Sequence, residues 1–336
     1  MLNLVIALLL QVQVPGVVEH RVTDIFNPMA SPAMAEKNIA MLTIAITGAI
    51  FVVVGGLILF TIFRFRRRPN EDNWHQEPAQ VYGSNQIEAA WTIIPLLIVF
   101  VLIGVSARVI AAVQNASPPK STLHVTVIGH QWWWEVYYPD YGIRTANEVR
   151  IPANVDGQTA TYLTLQSADV IHSFWVPQLS GKTDLIPNRN NYMWIDPREP
   201  GVYVGNCAEY CGTQHAKMLL RVIAQTPADF KKWATDQQKP QEENAQMSGA
   251  KTRFESLSCI NCHAIRGTSA VGKFGPDLTH LMTRQTLAAG VLVNDKRNLR
   301  DWVNDPQEPK PGCFMPSMKL TNEELDQVVT YLQSLN

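Results

Sequence analysis

Residues 39–63 form a run of 25 without a charge, and residues 89–107 form a second of 19. About 20 apolar residues cross a bilayer's hydrocarbon core as a helix, so runs of this length fit lipid better than a soluble interior. Gly48, Gly55 and Gly56 would weaken a soluble helix but permit close packing between membrane helices. Pro95 falls in the first two turns of the second run. The charged fraction of 17% lies below the roughly 25% of ordinary soluble domains. The sequence therefore predicts a transmembrane helical hairpin over 35–115. Arg64, Arg66, Arg67 and Arg68 follow the first run at once, which assigns the connecting loop to the cytoplasmic side. Everything from Asn115 onward is then outside. Residues 1–10 are apolar like a signal-peptide core but lack a basic flank, so 1–34 reads as a leader or an outer N-terminal segment. A net charge of −1 without long basic blocks gives no reason to expect a nucleic-acid partner.

Past the hairpin the pattern changes. Between about 120 and 230, short runs such as LHVTVIGHQWWWEVYY, ATYLTLQS and GVYVGNC are rich in β-branched and aromatic residues. Pro, Gly, Asn and Asp separate them at short intervals, which predicts an antiparallel sandwich or barrel of roughly 100 residues. Residues 235–247 (TDQQKPQEENAQM) read as a solvated linker. A separate unit follows over 248–336. It ends in a helical pattern with Thr321 as N-cap and Glu324 at the capping-box position.

All five cysteines lie in the C-terminal half, at 207, 211, 259, 262 and 313. Two tight pairs and one left over suit metal or cofactor sites better than a disulfide framework. The segment CAEYCGTQHAKM at 207–218 brings Cys211, His215 and Met218 together, half of a mononuclear electron-transfer copper site. His172 in HSFWVP is placed to supply the second imidazole. Cys207 adds a second thiolate on the same loop, so two bridging sulfurs, two histidines, a methionine and a backbone carbonyl can hold two copper ions. A disulfide or a zinc site is the alternative, and neither uses Met218.

These residues resemble subunit II of cytochrome c oxidase, whose copper-A loop follows C-x-E-x-C-G-x-x-H-x-x-M. The resemblance spans roughly 35–225 and includes EAAWTIIP at 88–95, GHQWWWEVYYP at 129–139 and HSFWVPQLSGKTDLIPNR at 172–189. It implies an all-β cupredoxin-like domain in which His172, Cys207, Cys211, His215 and Met218 bind binuclear copper A. Glu209 would add its backbone carbonyl there, and its side chain would reach a magnesium ion shared with subunit I. Trp132 matches the residue facing cytochrome c through which electrons enter. Without the family, Trp132 to Trp134 read as sandwich core, with one face exposed because Trp133 must point opposite to its neighbours. Glu88 matches an acidic residue near a proton-channel mouth in subunit I; its alternative is a carboxylate favoured by the helix dipole.

CINCH at 259–263 matches the C-x-x-C-H signal for covalent haem c, with His263 as proximal ligand, against a zinc or thiol-redox site as alternatives. With GPDL at 275–278 and MP at 315–316, the unit resembles a small all-α class I cytochrome c. That resemblance implies that the Pro276 carbonyl accepts from the proximal imidazole. Met315, directly before Pro316, is the expected sixth ligand rather than Met318, and Cys313 is expected to pack near the haem edge. The whole is similar to cytochrome c-fused (caa-type) oxidase subunits. It implies a multi-pass subunit of the bacterial inner membrane, with copper and haem on the periplasmic face and lipid around its helices. Its electrons would come from a donor cytochrome c or an upstream respiratory complex. They would pass to subunit I, which reduces oxygen and pumps protons alongside the other oxidase subunits. The rival readings are the copper-A subunit of a nitric oxide reductase and a membrane-tethered copper-binding assembly protein.

Overall fold

The computed structural model describes residues 18–20, 24–66, 80, 82–114, 121–157, 159–241 and 245–336. Expectations for residues 1–10, Arg67, Arg68 and 242–244 lie outside them. The chain divides into two compact units, one of residues 35–116 and one of residues 1–34 with 117–336.

The smaller unit contains most of helix α1 (Ser31–Arg64) and all of α2 (Asn85–Gln114). At about 1.5 Å per residue, their 34 and 30 residues exceed the ~30 Å hydrocarbon thickness. Large apolar side chains such as Phe51, Phe60, Trp91 and Phe100 point outward along both. The hydroxyls of Thr43, Thr47, Thr61 and Thr92 bond carbonyls three or four residues earlier, so these polar groups are satisfied within the helix itself.

The larger unit is built on two sheets. One runs β4 (Ile143–Ala146), β3 (Trp133–Tyr138), β2 (Ser121–His130), β6 (Thr159–Ser167), β9 (Asn191–Ile195). The other runs β5 (Glu148–Pro152), β11 (Leu219–Gln225), β10 (Gly201–Cys207), β7 (His172–Trp175), β8 (Thr183–Leu185), with β1 (Val18–His20) also against β10. The sequence led us to expect antiparallel pairing, but the sheets are mixed. β2 and β6 pair in parallel, as do β11 and β5 and β10 and β1. The chain changes sheet at Asn147, between β4 and β5. Asn147 takes a left-handed backbone (φ 64°) and its side-chain oxygen accepts from the Trp134 amide at 2.9 Å. Consecutive strands are thereby placed in different sheets, and residue alternation carries no signal for that.

Inward positions of β3 fill the space between the sheets with Trp134, Val136 and Tyr138. Trp134 and Phe174 meet edge to face at 6.0 Å under the end of β7. Helix α3 (Pro227–Gln237) closes the sandwich with Phe230 and Trp233, Thr226 capping it through the Asp229 amide. This helix corrects the expected linker: residues 235–237 are its last turn, and Gln237 is buried against Thr283.

The C-terminal part has its own core of Phe254, Leu299, Val328, Leu332 and neighbours. Helices α4 (Ser248–Ser256) and α7 (Asn322–Gln333) cross with Phe254 and Tyr331 rings 5.4 Å apart. Between them come α5 (Cys259–Cys262), a small hairpin of β12 (Thr286–Leu287) and β13 (Leu292–Val293), and α6 (Lys296–Asn304). Thr321 and Glu324 form the capping box at the start of α7.

The two cores are joined by buried polar contacts. The Glu148 carboxylate, 2% exposed, accepts from the Gln285 amide at 2.7 Å, the Thr286 amide at 2.9 Å and the Thr286 hydroxyl at 3.1 Å. Arg150 donates to the Thr283 carbonyl at 2.7 Å. Removing a buried carboxylate strands three donors, a loss of about 2–4 kcal/mol. Glu148→Ala is therefore expected to speed amide exchange at 283–289 while leaving 121–146 protected; unchanged exchange at 283–289 would refute this account of the junction.

Candidate metal and haem centres

The copper-type ligands come from the ends of three strands. His172 opens β7, Cys207 ends β10, and Met218 lies just before β11. Pairing of β10 with β7 and β11 draws these ends together. Between Cys207 and Met218 the chain makes one tight loop, closed by the Cys207 amide donating to the Met218 carbonyl at 3.0 Å. Gly129 lets His172 pack close, since a Cβ there would lie 2.7 Å from the imidazole.

The donor atoms converge. Cys207 Sγ lies 3.7 Å from Cys211 Sγ, 3.9 Å from His172 Nδ1 and 3.1 Å from the Glu209 carbonyl oxygen. Cys211 Sγ lies 3.7 Å from His215 Nδ1 and 3.8 Å from Met218 Sδ. A disulfide needs about 2.05 Å, so the pair is unbonded and open to metal. Glu209 turns its carbonyl inward and leaves its side chain exposed. Two adjacent soft sulfurs, flanked by imidazoles and a thioether, fit copper; a thioether does not suit zinc. Hydrogen bonding from Cys211 pulls the Cys207 thiol well below its usual range, and the resulting thiolate pushes Cys211 upward. Burial opposes charge on His172, but its bonds to Asp169 and Cys207 outweigh that and raise it.

Asp169 was not foreseen from sequence. Its carboxylate accepts from His172 Nε2 at 2.8 Å and from the Gln131 amide at 2.6 Å, so Nδ1 is the ring atom left facing the sulfurs. Trp134 forms an aromatic floor, its ring 6.0 Å from His172.

Trp132 lies in the turn before β3, where its indole N–H donates to the Cys211 carbonyl at 2.9 Å. The expected alternation holds, with Trp133 on the partly exposed face, but Trp132, which the resemblance has facing cytochrome c, is covered. Trp134, inside the sandwich, is 1% exposed, and Trp132 is 6% exposed because the loop bearing Phe314 covers it, with ring centroids 5.0 Å apart. Trp133 is half-buried and stacks on His130.

Trp132 also lines a largely apolar cavity of about 310 Å³. Cys259, Cys262, His263, Pro276, Met315 and Met318 line it as well. His263 Nδ1 donates to the Pro276 carbonyl at 2.8 Å, which leaves Nε2 as the available ligand atom. Burial lowers His263, against the pull of that carbonyl, and so favours the neutral imidazole a metal needs. A Cβ on Gly275 would fall 2.6 Å from the His263 ring, so glycine permits the ring to lie against this turn. These residues fit a haem. So does Arg284, which sequence reading missed: it is buried, lines the cavity, and its Nε has no hydrogen-bond partner among the described residues. Gln307, also missed, pins the distal loop, donating to the Cys313 and Met315 carbonyls at 2.9 and 3.0 Å. Cys313 lines the cavity wall. Glu88 occupies the first turn of α2, exposed, its amide bonded to the Ser84 carbonyl.

Known proteins resemble this chain over most of its length. The family described as "Cytochrome C oxidase subunit II, transmembrane domain" matches residues 20–109, its periplasmic-domain counterpart 143–225, and "Cytochrome c" 248–336. Cytochrome c oxidase subunit 2 of Alkalihalophilus pseudofirmus is 34% identical over 88% of this chain and 85% of its own length. That of Bacillus subtilis is 31% identical over 83% and 82% respectively. The crystal structure of the periplasmic domain of subunit II of cytochrome oxidase of Bradyrhizobium japonicum is 28% identical, covering 36% of this chain and 96% of that one, with a TM-score of 0.34.

Removing a carboxylate that orients a ligating histidine typically weakens metal binding by roughly tenfold to a hundredfold. Asp169→Ala is expected to lose copper to a competing chelator at correspondingly lower chelator concentration. Copper retention equal to that of the parent chain would rule out this role.

Proposed function

Because this chain belongs to the cytochrome c oxidase subunit II family and carries a fused cytochrome c unit, we propose that it conducts electrons from its haem crevice through its copper loop to subunit I. As an oxidase subunit it is a membrane protein with a large soluble part, partnered by the other subunits of its complex. Its family implies haem and copper A as its redox groups, each of which supplies a one-electron site when bound. The observation that carries the proposal is Trp132: one side of it lines the haem crevice and its indole N–H bonds the carbonyl of Cys211.

The chain's residues divide the work. Cys259 and Cys262 attach the haem, and His263, oriented by Pro276, is its proximal ligand. His172, Cys207, Cys211, His215, Met218 and the Glu209 carbonyl hold the copper pair, and the Glu209 carboxylate is free for magnesium at the subunit I contact. A short loop anchored at both strand ends limits ligand movement between oxidation states, which favours electron transfer over bond-making chemistry. The arginines after α1 support a cytoplasmic connecting loop and a periplasmic location for both centres. Electrons are delivered by a donor cytochrome or an upstream complex, and oxygen reduction with proton pumping occurs in subunit I.

The test is a rapid-mixing experiment on the purified complex. Haem reduction should be followed by a second phase in which the near-infrared copper band reports its own reduction. Cys207→Ser should abolish that second phase and the signal of an electron shared by two coppers, while haem reduction persists. A second phase unchanged in Cys207→Ser, or one copper per chain in the parent protein, would refute the path.

Met315, in a loop fixed by Gln307 and followed by Pro316, is proposed as the sixth haem ligand, a thioether that raises the potential of a c-type haem. Met315→Ala should remove the sulfur-to-iron charge-transfer band and lower the potential, and Met318→Ala should do neither. The reverse pair of spectra assigns the ligand to Met318.

A further inference from the structure

The loop of residues 309–314, which leads into Met315, is clasped by parts of the copper centre that are not themselves ligands. Lys217 donates to the Pro309 carbonyl at 2.7 Å, and the Gln214 amide group donates to the Pro311 carbonyl. A Cβ on Gly312 would lie 3.1 Å from the Thr213 side chain, so the two loops touch there as well. Thr213, Gln214 and Lys217 fall between the ligands Cys211 and Met218.

At the centre of this contact is Lys310, 3% exposed. Its ammonium donates to the Trp132 carbonyl at 2.6 Å and to the Ala288 carbonyl at 3.3 Å. Both acceptors are neutral. A buried cation held only by carbonyls is expensive, and an apolar residue of similar length would remove that cost. Stability therefore gives no reason for lysine here. Burial also draws its ammonium down to about 7, against the pull of Cys313 and Cys211. Trp132 is held at the same time from the other side. Its indole N–H bonds the Cys211 carbonyl, which also accepts from Gln131 at 2.8 Å. The tryptophan is thus pinned at its backbone by the haem loop and at its ring by the copper loop.

We propose that Lys310 is a positioning residue for internal electron transfer: by donating to the Trp132 carbonyl it fixes the indole between the haem crevice and the Cys211 carbonyl. The inference rests on the conduit role of Trp132 proposed above. In the step concerned, one electron leaves ferrous haem, which becomes ferric, and arrives at the oxidised copper pair, which is reduced. No proton or bond is exchanged, and Lys310 is unchanged. Transfer through a bridging ring is sensitive to its placement, and sub-ångström placement needs support from behind the ring as well as at its edge.

The experiment uses the purified oxidase complex and times haem-to-copper transfer after rapid photoreduction of the haem. Lys310→Met should slow transfer at least tenfold, and Lys310→Arg should restore most of the rate, with the haem and copper bands unaltered in both. A second readout is the resonance-Raman signature of the Trp132 indole N–H bond, isolated by difference against Trp132→Phe; it should weaken in Lys310→Met. Glu148→Ala loosens the same junction away from Trp132, and it should leave that signature in place and slow transfer less. A parent-like rate and signature in Lys310→Met would overturn the inference. So would equal slowing in Lys310→Met and Glu148→Ala with the signature intact in both. Should Lys310→Met fail to assemble, Lys310→Gln is read on the same two measures. Slowing in Trp132→Phe without slowing in Lys310→Met defeats the positioning role alone, whereas an unchanged rate in Trp132→Phe defeats the conduit reading and this inference with it.

Discussion

Two cysteine sulfurs 3.7 Å apart that do not bond to each other set the terms for the rest of this chain. Bringing them so close without oxidation requires a backbone that holds both thiols while keeping them short of disulfide geometry. The sandwich supplies this by ending β10 at Cys207 and returning through an eleven-residue loop into β11, whose ladder with β10 fixes both ends. His172 then arrives from β7 on the other flank of β10. Once these three strand ends are fixed, little freedom remains for the ligands. The mixed sheet order is a condition for it, because the neighbours of β10 must be β7 and β11 and no simple meander provides that.

The parts of this arrangement that could be read from sequence are those encoded locally. Cys207, Cys211, His215 and Met218 fall in one loop, so their spacing carries the chemistry; Cys259, Cys262 and His263 are likewise adjacent. The long apolar runs and the capping box of Thr321 and Glu324 depend on nothing beyond their own segments. His172 and Pro276 were reached because extended motifs surround them. By contrast, Glu148, Arg284 and Lys310 owe their roles to partners far along the chain or to burial, and Asp169, though only three residues before His172, lies in no motif that marks it. Lys310 meets Trp132 across 178 positions, and Glu148 meets Thr286 across 138. A lone lysine between two prolines in sequence gives no sign of such a partner. Pairing direction was illegible for a related reason: alternation tells which face of a strand is buried, not which strand lies beside it.

Trp132 shows how the second core changes the meaning of a residue in the first. The family resemblance implied a Trp132 that faces cytochrome c at a surface. Here the loop ahead of Met315 covers it, and a surface aromatic becomes an internal one. The half-buried Trp133, stacked on His130, keeps the character of a sheet-surface residue. Adjacent tryptophans in one sequence run thus serve a junction, a sheet surface and a core.

The buried carboxylate of Glu148 has a kinetic meaning as well. Encounters between separate redox proteins are steered by exposed charges, and their rates fall as salt screens those charges over about 10 Å. The contacts between the two cores include a desolvated carboxylate, cationic donors on neutral carbonyls and packed rings, and the cores are joined by one continuous chain. Tethering replaces a diffusional meeting by a local one, at an effective concentration in the millimolar range or above. On the proposed path, the hop from haem to copper is thereby detached from the bulk solution, and ionic strength is expected to act on the arrival of electrons from outside rather than on the hop itself.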